Sequence, residues 1–191
     1  MAKFKNPLPE NARLVFTGKL FEVWQWEQTM FDGSVEIFER LKRPDTAEIV
    51  AVVGDKILVQ LEEQPDKPRP FVALPGGRVD KGEEPLAAAR RELLEETGYE
   101  SDDWQLWQES NPVGKIEWTV FTYVARNCRF KQAQKLDAGE KITGKFLDFE
   151  EFLLLTDEPT FREPELAPLM LRARFDPKVK EELRTLFFGD K

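Results

Sequence analysis

Glu92, Glu95 and Glu96 stand at i, i+3 and i+4, so on a helix their three carboxylates crowd one stretch of surface. In water such crowding costs only about 0.2–0.5 kcal/mol per pair, and acidic helix faces are common. A hard divalent cation turns the repulsion into affinity. Mg²⁺ and Mn²⁺ take oxygen ligands, keep several waters and are typically held by a few carboxylates together with substrate phosphates. The approach to this face fits that chemistry. Leu74-Pro75-Gly76-Gly77 closes an apolar run, and its two adjacent glycines let the backbone come close to a metal or ligand. The chain contains no histidine, which removes the commonest general base and the usual zinc ligand and points to a carboxylate base.

The elements that must position these groups can be read on either side of them. Pro85 suits a first helical turn, Glu83 and Glu84 favour its positive end, Ala87-Ala88-Ala89 are strong helix formers and Gly98 supplies the stop, so a helix is predicted over 84–97. Upstream, apolar-rich runs over 20–28 and 34–41 joined across Met30-Phe31-Asp32-Gly33 predict a hairpin, and 48–53 with 57–61 around Gly54-Asp55 predict another. Residues 71–74 then deliver the chain to the glycine loop. Downstream, 104–107 and 116–125 read as strands, 131–143 as a polar loop before 146–149, and 150–155, 165–174 and 178–187 as helices. Strands mixed with one central helix and further helices place the chain in the α/β or α+β class.

Length and composition agree with one enzyme domain. A chain of 191 residues with 41% hydrophobic content can bury one sizeable core. The formal net charge of −8 argues against nucleic-acid or membrane binding through a basic surface, so a polyanionic ligand must be received locally by metal and a few arginines. Cys128 is the single cysteine, which precludes an intrachain disulfide, and no apolar run reaches the length of a membrane span. A cytoplasmic location is the expectation.

From Gly77 to Tyr99 the segment resembles the signature of the Nudix hydrolases: Gly, five residues, Glu, seven residues, Arg-Glu, an aliphatic, any residue, Glu-Glu, any residue, Gly and an aliphatic. Gly77, Glu83, Arg91, Glu92, Leu93, Glu95, Glu96 and Gly98 fill their positions, and Tyr99, aromatic where an aliphatic is usual, departs. The resemblance implies an α/β/α sandwich with a mixed central sheet, here over 46–191, preceded by an N-terminal strand extension over 1–45. It also implies metal ligation by Glu92, Glu96 and the Gly76 carbonyl, with Glu95 binding a second cation or orienting water. Arg91 joins the catalytic set, or pairs with Glu83 to fix the loop against the helix. In several branches a base comes from a loop well after this signature, and Glu140, in Asp137-Ala138-Gly139-Glu140, is the matching candidate.

The implied activity is Mg²⁺-dependent hydrolysis, with Mn²⁺ as a substitute, of the diphosphate in a nucleoside diphosphate sugar. The stretch Glu36-Ile37-Phe38-Glu39-Arg40 resembles a segment of ADP-ribose pyrophosphatases, in which an N-terminal sheet completes the pocket across a homodimer and a nearby arginine meets the diphosphate; Arg40 or Arg43 would take that part here. Pro112 lies off the spacing usual for that branch and the Gln64-Pro65 region lacks an arginine some members carry, which leaves the broader class of nucleotide sugars. Among five tryptophans and fifteen phenylalanines, Trp24, Trp26, Phe31 and Trp118 are the candidates to stack a base. Three other readings stand beside this one: a nucleoside triphosphate pyrophosphatase of the same family, a module that binds a nucleotide sugar without cleaving it, and a scaffold protein whose acidic helix is merely surface.

Overall fold

A computed structural model describes residues 7–189; residues 1–6 and 190–191, the extremes of the two expected segments, lie outside it. The first three strands, β1 (Arg13–Thr17), β2 (Glu22–Thr29) and β3 (Val35–Lys42), form an antiparallel meander. Its second turn is the expected Asp-Gly hairpin, with the Ser34 amide on Asp32 at 3.0 Å and the Met30 amide on the Ser34 carbonyl at 2.8 Å. The next hairpin also forms where it is predicted, β4 (Thr46–Val53) turning through Gly54-Asp55 into β5 (Lys56–Glu63). Short strands β6 (Phe71–Ala73) and β7 (Gly76–Arg78) pair with β5 and β4 and lead into α1 (Pro85–Thr97). After the helix come β8 (Tyr99–Glu100), β9 (Asp103–Ser110), β10 (Ile116–Glu117), β11 (Val120–Arg126), β12 (Arg129–Phe130) and β13 (Lys141–Leu147). The chain closes with α2 (Phe149–Leu153), a 3₁₀ turn (Leu154–Asp157), α3 (Ala167–Phe175) and α4 (Pro177–Phe188).

The alternation of β4 explains the layers. Ala47, Ile49 and Ala51 point to one face, where they pack with Ala88, Ala89 and Leu93 of α1; Val50 and Val52 point to the other, against Phe152, Met170 and Phe187 of α2, α3 and α4. Both faces being covered, β4 is buried along almost its whole length and reads as a continuous apolar run. The central sheet runs β13-β5-β4-β11-β9, with β4 and β11 parallel and the other pairs antiparallel. This is the mixed-sheet α/β/α sandwich that the resemblance implies.

Two expectations are corrected. Residues 116–125 do not make one strand: Ile116-Glu117 pair in parallel with Leu41-Lys42 in the N-terminal sheet, whereas Val120–Arg126 enter the central sheet. The break lies at Trp118-Thr119, where the Thr119 amide bonds Asp45 Oδ1 at 2.8 Å and the Trp118 indole bonds Thr46 Oγ1 at 3.0 Å. The polar segment 131–143 ends in strand rather than loop, because β13 starts at Lys141 and pairs with β5 from Lys141↔Glu63 to Leu147↔Ile57. Its polar residues are tolerated because β13 is an edge strand whose Thr143, Gly144, Lys145 and Phe146 are exposed.

Phe187 is fully buried against Trp107, Phe149 and Phe152, with ring centroids 5.2, 6.0 and 5.7 Å away, and it fastens the C-terminal helix to the sheet. Phe187→Ala is expected to cost about 3–5 kcal/mol, read by denaturant unfolding, with the same m-value as wild type.

Candidate active site

The site begins with two glycines, of which Gly76 is held by the backbone against any larger residue. A Cβ on Gly76 would collide with the Ala47 carbonyl, and one on Gly77 would collide with the Glu92 carboxylate. Their absence lets the loop lie flat between β4 and α1. The Gly76 amide donates to Glu96 Oε2 at 2.8 Å, and Gln60 Nε2 from β5 donates to the same oxygen at 3.0 Å. Glu96 is thereby locked between helix, loop and sheet and is 4% exposed. Burial pushes its pKa up to about 8, against the opposing pull of those two donors.

Arg91 organises the helix face. Its guanidinium reaches Glu83 at 3.0 and 3.1 Å, Glu92 at 2.7 Å and Glu95 at 3.3 Å, and donates to the Arg78 carbonyl at 3.0 Å. Glu83 in turn accepts from the Asp80 amide at 3.0 Å. One cation thus ties the glycine loop to the helix and separates two carboxylates, which is the positioning role the sequence offered as an alternative to direct catalysis. Burial still lifts Glu92 above the ordinary carboxylate range, although Arg91 counters it.

These groups line a cleft of about 620 Å³ that also takes in Glu48, Glu62, Glu140, Arg43 and Trp118. Glu140 lies close enough to Glu62 for its charge to help raise the Glu62 pKa, behind the larger effect of burial, and its Oε2 accepts from the Asp137 amide at 3.2 Å. Arg43 lies over the Trp118 ring with Cζ 4.4 Å from the centroid, a desolvated cation–π pair at the mouth. Gly76, Arg91, Glu92, Glu95, Glu96, Glu140, Arg43 and Trp118 are therefore brought together. Arg40 and Phe31 are not: Arg40 lies over Trp26 at 5.4 Å and donates to the Pro7 carbonyl at 3.2 Å, and Phe31 stands fully exposed at the hairpin tip. Trp24 and Trp26 likewise belong to β2, away from the cleft.

Sequence reasoning missed Glu48, Gln60, Glu62 and Glu163. Glu48 occupies an otherwise apolar buried strand, and Gln60 sits among Ile57, Leu58 and Val59; a polar residue facing inward within an apolar run is the signal that could have found them. Glu48, Glu163 and Glu165 bring carboxylate oxygens within 4.8 Å of one another. Glu163 is held by the Leu74 amide at 2.9 Å, whereas Glu48 Oε2 is buried without a donor. Burial, reinforced by the neighbouring carboxylates, raises the pKa of both Glu48 and Glu163. This set of oxygen-only ligands, two of them buried and in contact with one another, fits a hard divalent cation and gives no soft ligand for zinc.

Residues 42–168 match the NUDIX domain. The chain belongs to the Nudix family. It is 30% identical over 145 residues to the methanol dehydrogenase activator of Bacillus methanolicus, covering 73% of this chain and 75% of that protein. It is 34% identical over 86 residues to the ADP-ribose pyrophosphatase of Bacillus subtilis (strain 168), covering 44% and 46% of the two. In fold it is similar to the crystal structure of an ADP compounds hydrolase, with a TM-score of 0.71 and 22% identity over 93% of this chain and 98% of that one. Among the described residues no helix is long and apolar enough to cross a membrane.

The raised pKa of Glu96 has a measurable consequence. The folded chain holds a proton there up to about pH 8, whereas the unfolded chain releases it near the ordinary value of 4.5. The stability this proton gives is fully present below the unfolded value and is lost as pH rises through the folded one. The metal-free Nudix domain is therefore expected to lose thermal stability between pH 5 and 8, and Glu96→Gln to flatten that loss and raise Tm at pH 8. A Glu96→Gln variant less stable than wild type in EDTA at pH 8 would contradict this account.

Proposed function

We propose that the chain hydrolyses the diphosphate linkage of a nucleoside diphosphate sugar, ADP-ribose or a close relative, to a nucleoside monophosphate and a sugar phosphate. The observation that carries this reading is the convergence of Glu92, Glu95, Glu96 and the Gly76 loop in one cleft whose mouth holds the stacked Arg43 and Trp118. The similarity to the ADP-ribose pyrophosphatase supports the choice of substrate. Glu92 and Glu96, with the Gly76 carbonyl, would hold Mg²⁺ or Mn²⁺, and Glu95 would hold a second ion or orient water. Such a cation neutralises the diphosphate and makes phosphorus more electrophilic.

The chain's own residues do the rest. Arg43 faces the anionic diphosphate at the mouth, and Trp118 offers a ring face beside it. Arg91 keeps Glu92 and Glu95 oriented without needing to touch the substrate. Glu140 accepts the proton of the attacking water; oxygen adds to one phosphorus, the bond from that phosphorus to the bridging oxygen breaks, and two phosphate monoesters leave. With Mg²⁺ and a panel of ADP-ribose, ADP-glucose, GDP-mannose, UDP-glucose and deoxynucleoside triphosphates, chromatography is expected to show monophosphate and sugar phosphate from one sugar conjugate. Glu96→Gln is expected to abolish turnover and Glu140→Gln to lower kcat at least about a hundredfold. Release of pyrophosphate from triphosphates alone would move the chain to triphosphate hydrolysis, and near-wild-type kcat in Glu140→Gln would remove Glu140 as base.

The N-terminal sheet is proposed to form a homodimer and to carry the exposed Phe31 toward the partner's cleft, in a cytoplasmic enzyme. In support, Leu14, Val15, Phe16, Val35 and Ile37 are each exposed on β1 and β3. Light scattering is expected to give twice the 22.2 kDa chain mass. A monomer at micromolar concentration would rule out this arrangement.

A further inference from the structure

The acidic cleft has a cationic annexe. Its wall at Lys67 and Arg162 is shared with a second cavity of about 400 Å³, lined also by Arg69, Phe71, Phe161 and Pro164. That volume lies within the usual range for small-ligand sites, about 300–1,000 Å³.

The annexe is built rather than accidental. Its two walls are tied by backbone hydrogen bonds, from the Val72 amide to the Thr160 carbonyl at 3.2 Å and from the Arg162 amide to the Val72 carbonyl at 2.9 Å. Pro68, Pro70, Pro159 and Pro164 restrict the φ angles of those walls, so little freedom is lost on binding. The Arg162 guanidinium is stacked on Phe71 with Cζ 4.3 Å from the ring centroid, which leaves its edge free to donate. Among the described residues neither Arg69 nor Arg162 has a carboxylate within ion-pair distance; Lys67 pairs with its neighbour Asp66. Glu158 faces Arg69, and Glu62 and Asp66 face Arg162, only at longer range. In a chain of net charge −8, Arg69 and Arg162 are thus cations held without direct ion pairs beside a cleft that already has its own means of receiving a diphosphate.

We propose that the Lys67–Arg69–Arg162 cavity is a subsite for an additional phosphate group on the sugar beyond the scissile diphosphate, so that a phosphorylated sugar moiety is preferred to an unphosphorylated one. The proposal rests on the nucleotide-sugar reading above. A phosphate presents three acceptor oxygens, and two guanidinium forks with one ammonium satisfy them by charge-assisted hydrogen bonds. Arg69 belongs to the annexe alone, whereas Lys67 and Arg162 also border the cleft, so Arg69 is the residue that separates the two functions.

Two measurements on the full chain in Mg²⁺ test it. Calorimetry with ribose 5-phosphate and ribose 1,5-bisphosphate reads the subsite without turnover, and kcat/KM for ADP-ribose and ADP-ribose 1″-phosphate reads it with turnover. Wild type is expected to bind the bisphosphate at least about tenfold tighter and to show the same preference in kcat/KM. Arg69→Ala is expected to erase both preferences and leave ribose 5-phosphate binding and ADP-ribose turnover as they were, and Arg69→Lys to restore part of them. Equal binding of the two sugars by wild type, or a preference that survives Arg69→Ala, overturns the subsite. Tighter bisphosphate binding that is lost in Arg69→Ala, in a protein that cleaves no nucleotide sugar, upholds the subsite and overturns the pyrophosphatase reading instead.

Discussion

The burial of Glu96 is the constraint around which this molecule is arranged. A carboxylate taken out of water costs several kcal/mol unless donors or a counter-charge meet it. Here three separate parts of the chain converge on it: α1 carries it, the Gly76 amide caps it and Gln60 reaches it from the sheet. That convergence fixes the glycine loop against β4 and the helix against β7, and the first of these demands a residue without a Cβ at Gly76. Arg91 then works one turn away from the buried group, on the exposed flank, and brings Glu83, Glu92 and Glu95 into a defined array. The cleft is in this sense a set of unfavourable burials made tolerable by one another, as functional sites commonly are.

The helix and its glutamates were legible because their information is local. Proline, alanines and a terminal glycine delimit α1 to within one residue, and the i, i+3, i+4 spacing alone places three carboxylates together. The two hairpins were legible for the same reason, each turn being set by an Asp-Gly or Gly-Asp pair. What lay hidden depends on contacts between distant segments. Glu163 reaches Leu74 across 89 residues, and no local pattern in Thr160-Phe161-Arg162-Glu163 announces that its carboxylate turns inward. The split of 116–125 was hidden likewise, since Ile116-Glu117-Trp118-Thr119-Val120 alternates as well as any strand, and only the pairing partners Leu41 and Thr46 show that two sheets are served. Arg40 and Arg43 show the limit at closer range: three residues apart in sequence, one is held against Trp26 and the other faces the cleft.

The cations divide the same way. Arg91, Arg43 and Arg162 each have a planar partner or several carboxylates that hold the guanidinium in one place, which a lysine could not reproduce. Placing fixed cations around an acid-rich cleft in an acidic chain confines attraction for anions to a small part of the surface.

The joint between the two sheets carries a mechanical consequence. β3 passes into β4 through residues 43–45, and β10 passes into β11 through 118–119, so two parallel segments cross side by side from one sheet to the other. They are laced by the Arg43 amide on the Glu117 carbonyl at 3.2 Å, the Thr46 amide on the Thr119 carbonyl at 2.9 Å and Lys42 on Glu117 at 2.5 Å. A single crossing would act as an axle about which the N-terminal sheet could swivel; two hydrogen-bonded crossings act as a rail that admits neither swivel nor slip. Any load taken up by the outer sheet is therefore delivered to Arg43 and Trp118 as a displacement of the whole rim, in the manner of a stiff lever rather than a hinge.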